Sequence, residues 1–408
     1  MARFLIGWEL GANFGHVTVQ QPIVSRLLDE GHEVVMAVSN REQVSKFMQR
    51  AGLPIIRCPK GKSTKRTRRS CTFPQAFYHS GYDTCDSLKQ LVDEWFSIFD
   101  LSLPDICVFD YSPSGLIAAK AAGIPTSSLG NGFCSPPIMD EFPMWRSSTK
   151  IDPRLDERNL LENINTIQRE LNLSSFDHLS EIFDVDMAVL TTLPELDHFE
   201  NRSSGAYEYV GCLATAHGIQ PTWPTGEGPR TFAYLKYPGK DNREPFFKTL
   251  QHIADSKLPT VAFISNATEK LRSEHSTETL KIYLDPIDLD HAIDHCELAI
   301  LNGGHGTTVR FALAGKPLLL LPTQMEQDVT ARRVQEIGIG LQAAWRNPAQ
   351  VKKSIAELTN SFPLYRQQAL QLASRYPDWT PENQAAVATQ ILVRLANQFV
   401  DEQQLSTV

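Results

Sequence analysis

An apolar run, Leu298-Ala299-Ile300-Leu301, stops at Asn302-Gly303-Gly304-His305-Gly306, and a helical pattern begins at Thr307-Thr308. Glycines there let a backbone approach a ligand closely. A helix start adds N–H groups without intrahelical partners and the positive end of a dipole. Together these make a phosphate site. One glycine turn alone is weak evidence, because many strand–helix turns use glycine only to turn. The block continues through Pro317-Leu318-Leu319-Leu320-Leu321-Pro322 to Glu326-Gln327 and Ala331-Arg332-Arg333-Val334, and at that length it is much more specific. Gly303, Gly304, Gly306, Thr307 and Thr308 are the candidate phosphate donors, through N–H and hydroxyl groups.

These residues need strands and helices to place them, and the chain alternates the two patterns. Residues 3–8 are an apolar run suited to a buried parallel strand. Residues 11–16 read as a loop, 17–29 as a helix stopped by Gly31, and 34–38 as the next strand. That is one βαβ unit, the beginning of a doubly wound sheet. A strand at 105–110, a helix at 114–122 and strands near 125–129 and 187–190 follow. The second half repeats the pattern: strands at 231–235, 260–265 and 281–284, helices at 244–254 and 291–296, then the motif strand. Residues 214–230 carry Pro221, Pro224, Gly226, Gly228 and Pro229, a linker composition. The expected organisation is residues 1–213 as an N-terminal domain, 214–230 as linker, 231–380 as a C-terminal domain, and 381–408 as an amphipathic helix with a polar tail.

Composition excludes several classes. At 408 residues the chain is long enough for two domains. It is 42% hydrophobic and 21% charged, as ordinary globular proteins are. A net charge of −8 argues against nucleic acid as an electrostatic partner. No apolar run approaches the roughly 20 residues that span a bilayer. Seven scattered cysteines without a Cys-x-x-Cys read as reduced thiols in a cytoplasmic protein. No metal site is expected: His291 and His295 are the only close histidine pair, and further ligands are missing around them.

The chain resembles the nucleotide-sugar-dependent glycosyltransferases of the GT-B fold, the family of plant, macrolide and glycopeptide transferases. Four places carry the resemblance: Gly15-His16 with Gly31-His32-Glu33-Val34; Val108-Phe109-Asp110 followed by Gly123-Ile124-Pro125; Pro286-Ile287; and the long block after Asn302. Ile287 precedes Asn302 by 15 residues, and Glu326 and Gln327 follow it by 24 and 25. The resemblance implies an α/β fold with two Rossmann-like domains facing a cleft. The N-terminal domain takes the acceptor and the C-terminal domain the nucleotide sugar, with the last helix crossing back. It implies an inverting, metal-independent transfer from a dTDP- or UDP-sugar to a hydroxyl of a small-molecule or lipid acceptor, with no cofactor beyond the sugar nucleotide.

Such an enzyme must hold a diphosphate, neutralise charge developing on it and activate the acceptor. In the family's pattern His16 is the general base and Asp110 orients it and stabilises its cation. Glu326 and Gln327 bond sugar hydroxyls, and Ile287 offers backbone groups to the nucleobase. Asn302 stands where most relatives have a histidine; it can donate a neutral hydrogen bond but carries no charge. Arg310 stands where plant members have a ribose-binding glutamate, which fits a donor without a 2′-hydroxyl. Leu284 stands where plant members stack a tryptophan. Asn13, and Phe133 in Asn131-Gly132-Phe133, are candidate acceptor contacts, the latter equally a plain turn. The basic segment 60–70 is either an anion-binding loop or a solvated one, and Phe73, Phe77, Tyr78, Trp95 and Phe96 form either a lid or core. Two other functions fit the same residues: a nucleotide-sugar 2-epimerase, and a catalytically silent sugar-nucleotide-binding protein.

Overall fold

The computed structural model describes the chain except residues 12–13, 49, 51, 63–69, 148–151, 201, 203–204, 214–216, 240–241 and 407–408, and except the side chains of 14, 43, 46 and 400–406. It forms two compact units. The first comprises Met1–Thr192, Phe199–Leu213 and Glu382–Val408; the second comprises Leu193–His198 and Ala214–Pro381.

The first unit holds seven strands: β1 (Arg3–Trp8), β2 (Glu33–Val38), β3 (Ile55–Arg57), β4 (Ile106–Asp110), β5 (Thr126–Gly130), β6 (Met187–Leu190) and β7 (Tyr207–Tyr209). All pairings are parallel, in the order β3-β2-β1-β4-β5-β6-β7. The strands are buried on both faces, so β1 and β4 are continuous apolar runs without alternation. One core face gathers Phe4, Ile6, Trp8, Val34, Met36, Ile106 and Val108 with Ala388, Leu392 and Ala396 of the last helix. That helix, Pro381–Ser406, is therefore part of the first unit's core. Of the aromatic residues of 73–96, Phe73, Phe77, Tyr78 and Trp95 are buried core and Phe96 is half-buried; Phe73 touches the rings of Phe133, Phe142 and Phe183.

The second unit holds β8 (Thr231–Lys236), β9 (Thr260–Ser265), β10 (Leu280–Tyr283), β11 (Leu298–Leu301), β12 (Leu318–Leu320) and β13 (Gly340–Gln342). The order is β10-β9-β8-β11-β12-β13, again all parallel. Its core joins Leu235, Ile264, Ile282, Ile300 and Leu319 to Leu250, Ile253 and Leu358 from flanking helices. Both sheets have the doubly wound arrangement of a dinucleotide-binding fold, with strand order reversing beside the first strand. The described part of the segment read as a linker packs on the second unit: Ile219 bridges Ile287, its N–H donating to Pro286 O at 2.9 Å.

The first helix begins at Phe14, three residues ahead of the start read from the sequence. The glycines around it mimic a loop, yet Gly15 lies inside its first turn. No helix among the described residues is long and apolar enough to cross a membrane.

Candidate active site

In each sheet the reversal point opens a crevice at the carboxyl ends of two neighbouring strands, because the loops leaving them diverge. In the first sheet that point lies between β1 and β4. Trp8, the last residue of β1, is the register partner of Asp110, the last residue of β4. The chain leaves β1, turns at Gly11 and enters the helix Phe14–Asp29, whose first turn carries His16. His16 Nδ1 lies 2.8 Å from Asp110 Oδ2. A carboxylate only accepts, so Nδ1 carries the hydrogen and Nε2 presents its lone pair. The imidazole stacks on the Trp8 indole with centroids 5.1 Å apart. Asp110 is 3% exposed, and Gln20 Nε2, one helical turn beyond His16, donates to the same Oδ2 at 3.3 Å. The other carboxylate oxygen is buried without a partner. A helix start disfavours an imidazolium by about 0.3–1 kcal/mol. The charge-assisted bond to a buried carboxylate is the stronger influence and stabilises the cation formed when His16 takes a proton.

Asp110 does not cap the helix that follows it, because the N-cap of Pro113–Ala122 is Ser112. Tyr111, next to Asp110, has φ of 49°, and its carbonyl accepts Leu10 N–H at 3.1 Å. This left-handed residue ties the two loops together at the strand ends. Beneath them Glu9 is fully buried. It accepts hydrogen bonds from Tyr82 Oη at 2.6 Å and Ser114 Oγ at 2.8 Å, while burial pushes its carboxyl up to about 7.

In the second sheet the reversal lies between β8 and β11, and the glycine turn leaves β11 there. Asn302 N–H still bonds Tyr234 O at 3.0 Å. Gly303 has φ of 81°, and a Cβ on it would stand 3.2 Å from Gln327 Cβ, so both backbone and packing call for glycine. The helix His305–Leu313 follows. Its first intrahelical bond runs from Thr308 N–H to Gly304 O at 3.0 Å. The N–H groups of His305, Gly306 and Thr307 precede that bond, at the helix end where an anion is favoured.

Thr308 does not belong with them. Both its N–H and its hydroxyl, the latter at 2.9 Å, are spent on Gly304 O, because the fourth position of a helix already has a carbonyl within reach. Asn302 Oδ1 faces Gly304 N–H at 3.4 Å, which leaves its amide NH2 as the donor it can offer a ligand.

Glu326 and Gln327 start the helix Met325–Glu336, past β12. Gln327 is buried, and its Oε1 accepts from both N–H and hydroxyl of Thr323 at 2.9 Å. Only its NH2 end remains to meet a ligand. Glu326, 17% exposed at the side chain, is the more open of the two. Ile287 is buried beside the Ile219 bridge. Arg310 pairs with Asp290, so its charge is answered from the helix Leu289–His295. Phe133 is a turn residue packed between Phe73 and Trp145, with little surface for an acceptor. Asn13 and residues 63–69 lie outside the described residues.

Four functional neighbours escaped the sequence reading. Gln20 was signalled by its i,i+4 spacing from His16. Gly11 carried no signal beyond its type: a Cβ there would lie 2.4 Å from His16 Nε2. His198 and Thr330 carried none, being 132 residues apart. Thr330 Oγ1 stands 3.0 Å from His198 Nε2 and 3.0 Å from His305 Nδ1, and Glu326 Oε1 is 3.8 Å from His198 Nε2. Burial pulls His305 down to about 4, so its ring is neutral at pH 7 and faces Thr330 rather than the glycine turn.

No family model matches the chain. A PGL/p-HBAD biosynthesis rhamnosyltransferase of Mycobacterium bovis is 27% identical over 316 residues, covering 71% of this chain and 68% of its own. NDP-glycosyltransferase YjiC of Bacillus licheniformis is 22% identical, covering 66% and 68%. Among solved structures, the spinosyn rhamnosyltransferase SpnG covers 97% of this chain and 100% of its own at a TM-score of 0.68 and 16% identity. Glycosyltransferase VinC in complex with dTDP covers 97% and 100% at a TM-score of 0.67 and 16% identity. By sequence and by fold, the chain stands among the nucleotide-sugar glycosyltransferases of the GT-B fold.

Proposed function

We propose that this glycosyltransferase moves a sugar from a dTDP- or UDP-sugar to a hydroxyl of a small-molecule or lipid acceptor, with inversion and without a metal cofactor. The observation that carries this reading is the pairing of half-buried His16 with buried Asp110 at 2.8 Å. His16 Nε2 takes the acceptor proton as the oxygen attacks the anomeric carbon, and Asp110 holds the ring's tautomer and its new charge. The N–H groups of the second unit's glycine turn take up charge on the departing diphosphate. Glu326 and the NH2 of Gln327 bond sugar hydroxyls, Asn302 supports the diphosphate, and Ile287 lends backbone groups to the base. The dTDP complexes of structural neighbours support a thymidine donor, as does Arg310 in place of a ribose-binding carboxylate. Transferase relatives disfavour the epimerase reading. The seven free cysteines support a cytoplasmic setting.

Incubation with a panel of sugar nucleotides and hydroxylated acceptors tests the proposal. Transfer should release nucleoside diphosphate and a glycoside of inverted configuration. His16→Ala should lower turnover roughly 10²–10⁴-fold while donor binding persists. Full turnover in that variant would remove the mechanism.

A further inference from the structure

The second unit brings together three metal-ligating side chains from separate stretches: His198, His305 at the head of the helix His305–Leu313, and Glu326 at the head of the helix Met325–Glu336. One ligand atom from each lies within 4.8 Å of the others. His198 and His305 are buried, and their rings stand 4.5 Å apart, centroid to centroid. Their facing nitrogens, Nε2 and Nδ1, each lie 3.0 Å from the Thr330 hydroxyl. Two ring nitrogens converging on one oxygen outline a point at which ligands around an ion would meet.

We propose that His198, His305 and Glu326 bind one transition-metal ion of the Zn2+ class, with the Thr330 hydroxyl as a fourth ligand, and that this ion withdraws Glu326 from the donor sugar. The first half stands on the geometry alone. The second rests on the sugar-reading role proposed for Glu326.

Bonds of about 2.0–2.2 Å separate tetrahedral ligand atoms by roughly 3.3–3.6 Å. His198 Nε2 and Glu326 Oε1, at 3.8 Å, are already close to that. All the ligand atoms lie within 4.8 Å of one another, so no separation must close by more than about 1.5 Å, a shift that side-chain torsions can make. Two imidazoles with one carboxylate select Zn2+, Co2+ or Ni2+ over Mg2+, which prefers an all-oxygen octahedron. The site is therefore no seat for a diphosphate-bound magnesium. Each ring would bind through its facing nitrogen and keep its hydrogen on the other.

Without an ion the same atoms form a hydrogen-bond chain, in which the single Thr330 hydroxyl hydrogen reaches one ring and the other ring donates to its oxygen. The experiment separates the two. The chelator-treated full chain is titrated with Co2+, followed by visible absorption, and with Zn2+ by calorimetry, with no sugar nucleotide present. One equivalent should saturate a low-coordinate Co2+ band. His198→Ala and Glu326→Gln should each weaken binding at least about tenfold, the second being near-isosteric and partly exposed, so the fold is kept. His295→Ala should leave binding unchanged, which controls for the pair of half-buried His291 and exposed His295, stacked at 4.0 Å. Absence of saturation at one equivalent, wild-type binding in both cluster variants, or loss in His295→Ala would overturn the site. In a second arm, Zn2+ should weaken sugar-nucleotide binding about tenfold in the wild type and leave the free diphosphate unaffected. Zn2+ binding without that competition would overturn the link to Glu326 while the metal site stands.

Discussion

Gly11→Ala tests the base through a residue that carries no chemistry of its own. Gly11 has φ of 92°, and a Cβ built on it falls 2.4 Å from His16 Nε2, where ordinary contact begins at 3.4 Å. The ring must retreat by about 1 Å, and Asp110 on its far side at 2.8 Å leaves it little room to do so squarely. A displacement of that size from reacting geometry costs on the order of 100-fold in turnover. In the proposed mechanism donor binding rests on the second unit, so it should not change. The substitution also strains a left-handed backbone, by about 1–2 kcal/mol, and lower stability alone could mimic an effect on rate. Gly31→Ala supplies the control, because Gly31 has φ of 83° with nothing within 4 Å of its missing Cβ. Steady-state kinetics should therefore show a large fall in kcat for Gly11→Ala alone, while thermal unfolding shows similar losses for both variants. If Gly11→Ala keeps kcat within about threefold of wild type, or if Gly31→Ala loses as much, the geometry argued for His16 Nε2 is wrong.

Three further outcomes follow from the same geometry. Burial pushes Glu9 from its ordinary 4.5 to about 7, so between those values the native state keeps a proton that the unfolded chain has released. Its contribution to stability is whole below about 4.5 and lost as pH rises through 7; Glu9→Gln should flatten that decline in thermal unfolding, and an unchanged pH slope would contradict the assignment. Arg310 pairs with Asp290 and offers no carboxylate of its own to a ribose, so calorimetry should find dTDP bound at least as well as UDP, and a UDP preference above about tenfold, or 1.4 kcal/mol, would refute it. Glu326→Gln should weaken the sugar nucleotide roughly tenfold or more, as loss of a charged hydrogen bond does, and leave the free diphosphate within about threefold; equal weakening of both would make Glu326 a support of the turn.

The strands that could be read from the sequence are the long buried ones. Arg3–Trp8, Thr260–Ser265 and Met187–Leu190 have the bounds their apolar runs suggest, because a parallel strand covered on both faces has no polar side to interrupt it. Ile55–Arg57, Tyr207–Tyr209 and Gly340–Gln342 escaped: three residues at a sheet edge are too few for any period to show. The helix Cys85–Ser102 was legible in principle, since Thr84 caps it by accepting Ser87 N–H at 3.3 Å. Its aromatic residues drew attention instead as a possible lid. At the site, the types were readable and the pairings were not. His16 and Asp110 are 94 residues apart, and only resemblance joined them. Thr308 looked like a donor by type, and only helix geometry shows that its donors are spent. Gln327 looked equal to Glu326 until its carbonyl was found bonded to Thr323, which is why the single Glu326 substitution is the cleaner probe.

The two units place different chemistry at the same topological position. In the first, function rests on side chains: an imidazole from the segment after β1 meets a carboxylate at the end of β4, with Gln20 and Trp8 fixing each partner. In the second, the proposed role rests on backbone: N–H groups ahead of Thr308 lie at the helix start, and Gly303 answers a φ of 81° with Gln327 packed closely against it. A backbone site tolerates side-chain change that a side-chain site does not. Substitutions at Asn302 or Thr307 should therefore move donor affinity by no more than a hydrogen bond to an ionised phosphate is worth, about 1.5–3 kcal/mol. In the proposed mechanism, substitutions at His16 or Asp110 act on the barrier itself. In the proposed mechanism each sheet fixes the position of the groups at its own reversal point, and only those few groups need to be chemically specific.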